Sequence, residues 1–259
     1  MNPSSKRPYA VIGRVTVDYH FLQTILKGIR FSKNKISNIS LQRLEYCPAD
    51  AWLEDRHIDC FVFLLEQHNF RNPGHQNNSI PVIIDSHFYP TLLAFSEEAI
   101  DRLRVKLNQF GLLSDQGWKV QKLLFPISLE NTHWISIFVD CQEHTYWAID
   151  PFRPSQPKQE YLDIGFIITH HLEKEFGLEP FHQKEPIVCK AFPKQIDGFN
   201  CGIYLLWYLY ILVLEKDLSL PLTFGPDIFR ALLITWIIKQ KIDPDAIMND
   251  RVLPVQRTR

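Results

Sequence analysis

The chain lacks a strong charge of either sign, because 28 basic residues stand against 29 acidic ones, for a formal charge of −1. Such a balance excludes the general electrostatic footprint of a nucleic-acid or anionic-membrane binder. A long apolar run is also missing: the longest covers residues 203–214, well short of the roughly 20 that cross a bilayer. Since the first eight residues are polar, we expect no secretory signal.

Cysteine is scarce, and its spacing excludes two kinds of scaffold. There are five cysteines, no CxxC pair occurs, and the spacing is wide. An odd, scattered set predicts neither a disulfide framework nor a structural zinc site. We therefore expect a reducing intracellular compartment, which is the cytoplasm or nucleus, or the host cell if the protein is a secreted bacterial effector. We expect neither a metal nor a cofactor. The cysteines are Cys47, Cys60, Cys141, Cys189 and Cys201.

The length and composition predict one main domain with additions. The chain has 259 residues, of which 46 % are hydrophobic and 22 % charged, which is ordinary globular usage. No internal repeat or low-complexity segment is visible. We predict an N-terminal arm over residues 1–40, a main domain over 41–250 and a C-terminal tail over 251–259.

Hydrophobic periodicity predicts an α+β fold with a central, mostly antiparallel sheet flanked by helices. The helix over 201–215 is apolar all round, so we expect it to be central and buried. Ser96 is the predicted cap of the second helix. The predicted helices cover 52–68, 96–110, 161–176, 201–215 and 227–241. The predicted strands cover 9–17, 80–85, 120–127, 133–140, 144–150 and 187–192.

Four residues have the chemistry and the placement of a thiol-dependent active site. His133 opens one predicted strand, Asp150 ends the next, and Cys201 begins the buried helix. A helix N-terminus and an adjacent imidazolium both favour the thiolate, which is the nucleophilic form. A carboxylate beside the imidazole stabilises its charged form and fixes its orientation. Gln195 is placed to donate to an oxyanion together with the Cys201 N–H.

Each of these residues also has a structural interpretation. A buried cysteine is usually an inert small hydrophobe. A lone histidine at a strand start is usually a surface residue, Asp before Pro is a common turn, and a lone Gln is usually solvated. Because many chains contain His, Asp, Gln and Cys in this order, the residue types alone leave the triad open.

The spacing of these motifs resembles a known family. His133-Trp134, an Asp seventeen residues after the His, and Gln-x5-Cys-Gly about fifty residues further resemble the ubiquitin-like-protein-specific proteases. These are the SUMO-protease family of cysteine peptidases, related to the adenovirus protease (adenain-like, clan CE); papain-type enzymes place the Cys first. The resemblance covers residues 45–215. Further similar segments are Trp52-Leu53-Glu54-Asp55, His87-Phe88-Tyr89-Pro90-Thr91-Leu92-Leu93 and Leu124-Phe125-Pro126-Ile127.

The resemblance implies an adenain-like fold over residues 41–250 and a thiol protease or isopeptidase activity. The substrate would be a ubiquitin-like modifier, SUMO or ubiquitin class, cut after its C-terminal Gly-Gly. Trp52 and Trp134 match the two rings that form a narrow slot over the Gly-Gly tail, and a slot of that kind excludes side chains. Asp55 matches a residue that contacts basic side chains of the modifier. Gly202 leaves space for the substrate chain.

Two departures from the family pattern leave the identity of the modifier open. Asn200 precedes the Cys where the family often has Asp, and Pro151 follows the Asp where Ser is frequent. Two other functions remain alternatives: an effector-type acetyltransferase that uses the same Cys, and a non-catalytic module that binds a modifier. We expect modifiers or their conjugates as partners, a monomer, and no membrane span or nucleic acid.

Overall fold

The computed structural model divides into two units, each of which is described by itself. One comprises Met1–Ala51 with Phe224–Arg259, and the other comprises Trp52–Thr223. The predicted boundaries at residues 40 and 250 stay predictions. The structure describes residues 10–12, 15–17, 53, 55–71, 81–114, 117–152, 158–183, 194–214, 226, 229, 233 and 236.

The first unit contains a small hairpin. Ala10–Ile12 (β1) pairs antiparallel with Val15–Val17 (β2). The single strand predicted over 9–17 is therefore wrong. Gly13 stands between the two strands in sequence, and glycine is a frequent hairpin residue. Within the predicted helix 227–241, the three described residues are helical: Phe229, Leu233 and Trp236.

The second unit is α+β, as predicted, with five helices, a five-stranded sheet and a separate two-stranded ribbon in the part of it that the structure describes. No helix among its described residues is long and apolar enough to span a membrane. The helices are Asp55–Arg71 (α1), Phe88–Ala94 (α2), Ser96–Gln109 (α3), Gln159–Phe176 (α4) and Cys201–Val213 (α5). The strands are Val82–Ile83 (β3), Leu113–Ser114 (β4), Gly117–Trp118 (β5), Lys122–Leu129 (β6), His133–Asp140 (β7), Thr145–Ile149 (β8) and His182–Gln183 (β9).

The sheet has the order β3-β6-β7-β8-β9, and β4 and β5 form a separate two-stranded ribbon. The three long strands, β6 to β8, form the antiparallel meander that the sequence predicts. The edge strands β3 and β9 both pair parallel to their neighbours. Each has two residues, too few for a hydrophobic period to be recognised.

The central strand β7 is buried on both faces, which explains why its interior is apolar except for Ser136. Ile135, Ile137 and Val139 belong to a core shared with α3 and α4. The alternate residues of the strand, from Trp134 to Phe138, are buried as well. Helix α5 packs against β7 and against α1, and it is therefore apolar all round. This packing brings the start of α5 near the start of β7.

Several predicted boundaries need correction. Helix α1 begins at Asp55 rather than at residue 52. Helix α2 was not predicted, because its seven residues include a proline and cover too few turns for a clear period. Ser96 does not cap α3: the capping position is Phe95, and no side chain caps that end. Gly177 ends α4 in the left-handed conformation at φ 64°, as glycine commonly does. The predicted strand over 187–192 lies outside the described residues.

Candidate active site

His133 and Asp150 come together because β7 and β8 are antiparallel neighbours. Ser136 opposes Ile149 in the register, so the residue after β8 lies beside the first residues of β7. The His133 Nε2 lies 2.8 Å from the Asp150 Oδ1. The two side chains are 13 % and 6 % exposed, and water therefore competes little for this hydrogen bond.

Cys201 supplies the third group of the site. It is the first residue of α5, where the partial positive charge of a helix N-terminus favours a thiolate. It lies close enough to the imidazole of His133 to raise the pKa of that ring. Nε2 binds Asp150, and the buried Nδ1 has no hydrogen-bond partner among the described residues, so Nδ1 is the ring atom left for the sulfur. Cys201 is 2 % exposed, so solvent reaches it poorly.

The hydrogen bonds of this site shift two pKa values in opposite directions. Burial alone lowers the pKa of His133, but the hydrogen bonds and charges of Asp150 and Cys201 outweigh it and raise the value to about 9. Burial alone raises the pKa of Asp150, but the hydrogen bonds from His133 and from the Phe152 N–H, together with the His133 charge and the Tyr161 hydroxyl, lower it. The imidazole of His133 therefore stays protonated near neutral pH, which is the form that donates a proton to a leaving group.

Gln195 lies in the turn that leads into α5, and a carboxylate organises that turn. The backbone N–H of Gln195 donates to the Pro151 carbonyl at 2.9 Å, which ties the turn to the segment after β8. Its side chain is 1 % exposed, and its Nε2 donates to the Asp197 carbonyl at 2.7 Å. The same Nε2 lies 3.3 Å from the Asp197 Oδ1, and donation by this amide to an oxyanion stays a prediction.

Asp197 is a residue that the sequence reading missed. Its Oδ1 accepts the backbone N–H groups of Phe199 at 3.1 Å and Asn200 at 2.8 Å. Its Oδ2 accepts from the Asn200 Nδ2 at 3.0 Å. The carboxylate thereby fixes the three residues before Cys201. The Asp197-Gly198 dipeptide was the available signal, because Asp commonly accepts from N–H groups two and three residues on.

Trp134 and Gly202 meet beside the thiol. Trp134 is 4 % exposed, and its indole Nε1 donates to the Leu53 carbonyl at 2.7 Å. A Cβ on Gly202 would lie 2.9 Å from the Leu53 Cβ and 3.2 Å from the Trp134 Cδ1. The space beside Gly202 is thus filled by two protein side chains, and the glycine allows α5 to approach them.

We predict that Gly202→Ala destabilises the protein. The new methyl must displace Leu53 or Trp134, and overpacking of this kind costs about 1–3 kcal/mol, more than the ~0.5–1 kcal/mol that alanine gains over glycine in a helix. Urea unfolding measures the difference. Gly198→Ala is the matched control, because a Cβ there meets no atom within 4 Å. Equal or higher stability of Gly202→Ala would contradict the close packing.

Of the two other predicted substrate-binding residues, Asp55 and Trp52, the structure describes only Asp55. Asp55 is the first residue of α1; its side chain is 45 % exposed, and its Oδ2 lies 3.9 Å from the His87 Nε2. Its contact with a modifier stays a prediction. Trp52 lies outside the described residues, so the predicted slot of two indoles is described at Trp134 alone.

Comparisons with known proteins show the family of this chain. A sequence profile described as "Ulp1 protease family, C-terminal catalytic domain" matches residues 51–221. The chain is 21 % identical over 183 residues to ubiquitin-like-specific protease 1A of Arabidopsis thaliana. That match covers 68 % of this chain and 35 % of the relative, so the chain spans about a third of the length of the curated relative it matches.

Two solved structures share the fold. The yeast Ulp1 protease domain, crystallised with Smt3, the yeast ortholog of SUMO, has a TM-score of 0.60 at 18 % identity, covering 86 % of this chain and 96 % of that one. The catalytic domain of the Ulp1-like SUMO protease of Chaetomium thermophilum has a TM-score of 0.55 at 19 % identity, covering 80 % and 79 %. Since the family profile spans most of this chain, the chain belongs to the Ulp1 protease family, a family of cysteine peptidases.

Proposed function

We propose that this chain is a thiol isopeptidase that cleaves after the C-terminal Gly-Gly of a ubiquitin-like modifier. The observation that carries the proposal is the His133–Asp150 hydrogen bond of 2.8 Å, with Cys201 at the start of α5 close enough to raise the pKa of the same imidazole. Membership of the Ulp1 protease family supports a peptidase reaction at this site.

The reaction needs only these side chains and one water. The Cys201 thiolate attacks the carbonyl of the last glycine, and the charge moves to the carbonyl oxygen. The side-chain amide of Gln195, which turns one N–H from the Asp197 Oδ1 to the substrate, and the Cys201 backbone N–H bind that oxygen. The His133 imidazolium then gives its proton to the departing lysine amine, and a thioester remains. His133, now neutral, takes a proton from water, whose oxygen attacks the thioester and releases the modifier carboxylate and the thiol.

Burial of the nucleophile supports a glycine-terminated substrate. Cys201 and Trp134 are 2 % and 4 % exposed, so only a thin, extended chain reaches the sulfur. A tail of two glycines meets this condition, whereas a bulky residue next to the scissile bond does not. The yeast relative of similar fold was solved with a SUMO ortholog bound, and we extend that class of partner to this chain.

The cellular setting follows from the same chemistry. A thiolate nucleophile must stay reduced, so we propose that the protein acts in a reducing compartment, cytoplasm or nucleus. We propose that it acts as a monomer, because the described triad residues all come from one chain.

A panel of modifiers with C-terminal electrophiles tests the proposed function. We expect one covalent adduct per chain with at least one SUMO-type or ubiquitin-type probe, and none with Cys201→Ala. The preferred probe identifies the modifier class. A protein that binds a probe without forming an adduct would instead be a non-catalytic module. Stable labelling of Cys201 by acetyl-CoA without any probe adduct would indicate an acetyltransferase.

A further inference from the structure

Phe152 forms part of the site, although the reaction above does not use it. It lies two residues after Asp150, and its ring stacks on the imidazole of His133, with centroids 4.9 Å apart and planes 28° apart. Its backbone N–H donates to the Asp150 Oδ1 at 2.8 Å, the same oxygen that binds His133. Phe152 therefore contacts both members of the His–Asp pair, one through its ring and one through its backbone.

We propose that Phe152 is a positioning residue whose ring holds the His133 imidazole against Asp150 and Cys201 and stabilises its charged form. A ring stacked on one face limits rotation of the imidazole about its side-chain bonds. The π-face of Phe attracts a cation within about 6 Å. The stacked ring also keeps water from that side of the His133–Asp150 hydrogen bond. The proposal rests on the proposed function, because His133 is the acid and base of that reaction.

The groups around His133 determine in which direction its pKa shifts when the Phe152 ring is removed. Among the described residues, Asp150 from the end of β8 and Cys201 from α5 favour the imidazolium, while burial opposes it. Phe152→Leu takes away the π-face but keeps an apolar cover over the imidazole, so the pKa of His133 falls from its value of about 9. The alkaline limb of the rate profile then moves to lower pH, since the reaction needs the protonated ring. Phe152→Ala also admits water, which acts in the opposite direction because burial lowers this pKa.

Three substitutions separate the functions of this residue. Phe152→Ala removes the ring, Phe152→Leu keeps an apolar cover without a π-face, and Phe152→Tyr keeps the ring. All three retain the backbone N–H that binds Asp150. The side chain is partly exposed, 39 % by residue, so its loss leaves little cavity and the variants should fold.

We expect Phe152→Leu and Phe152→Ala to lower kcat about tenfold, because the imidazole of His133 is then held less well in its catalytic position. KM should be nearly unchanged. In Phe152→Leu the alkaline limb of kcat should move down by about half a pH unit, the size expected for one cation–π contact. In Phe152→Ala it should move less, because the admitted water favours the imidazolium. Phe152→Tyr should have the kcat and the alkaline limb of the parent protein. Phe166→Ala is the matched control: Phe166 stacks on the exposed His170 of α4, with centroids 5.8 Å apart, and its loss should change neither value.

Two results would overturn the proposal. One is a Phe152→Leu variant with the kcat and the pH profile of the parent; the other is an effect on KM alone. An NMR titration of the His133 ring, assigned with His133→Gln, gives a readout that needs no substrate. If the parent cleaves no modifier, the proposed function fails; a His133 pKa that is lower in Phe152→Leu still supports the stacking role, and an unchanged one contradicts it.

Discussion

Cys201→Ala is expected to abolish cleavage of a fluorogenic modifier substrate, by more than about 10⁴-fold. The sulfur forms the covalent bond on which both half-reactions depend, and alanine leaves His133 and Asp150 without a nucleophile to activate. Binding should persist, because one buried thiol contributes little contact area. Steady-state release of the fluorophore measures turnover, and isothermal calorimetry with the intact modifier measures binding.

The control for this variant is a second buried cysteine. Cys141 follows β7 and is 7 % exposed, and burial raises the pKa of its thiol to about 12, so it does not form a thiolate near neutral pH. Cys141→Ala should retain the kcat of the parent. Measurable turnover in Cys201→Ala would exclude Cys201 as the nucleophile, and loss of turnover in Cys141→Ala with the fold intact would show that the effect is not specific to Cys201.

The meeting of His133 and Asp150 could be foreseen because it follows from local patterning. Three β-rich runs with short connections predict an antiparallel meander, and antiparallel neighbours bring the end of β8 beside the start of β7. Likewise, the all-round apolar sequence after Cys201 predicts a buried helix. The order and spacing of these motifs then indicated the family, which the profile match confirms.

Other features of the site depend on tertiary packing, and no pattern in the sequence predicts them. The ring of Phe152 turns toward His133, a side-chain orientation that depends on what surrounds it. Gly202 was expected to leave room for substrate, whereas Leu53 and Trp134 pack against it. That contact joins residues far apart in sequence, and no periodicity encodes it.

Gln195→Ala is expected to lower kcat about 10²–10³-fold, the usual effect of removing one oxyanion donor. The structure supports a donor in a fixed orientation. The side chain is 1 % exposed, and its Nε2 faces the carbonyl of Asp197 at 2.7 Å and the Oδ1 of the same residue at 3.3 Å. Because both neighbours are acceptors, the amide nitrogen and not the oxygen must point that way.

Two further variants distinguish donation from packing. Gln195→Glu keeps the shape but replaces the donor by a carboxylate, which repels a developing oxyanion, so its kcat should fall at least as far as that of Gln195→Ala. Lys194→Ala, at an exposed neighbour, should keep the kcat of the parent. Single-turnover acylation, followed by mass spectrometry of the Cys201 thioester, places the defect in bond formation. If Gln195→Glu acylates as fast as the parent, the oxyanion is held by other donors, because a carboxylate at this position cannot stabilise a negative charge beside it.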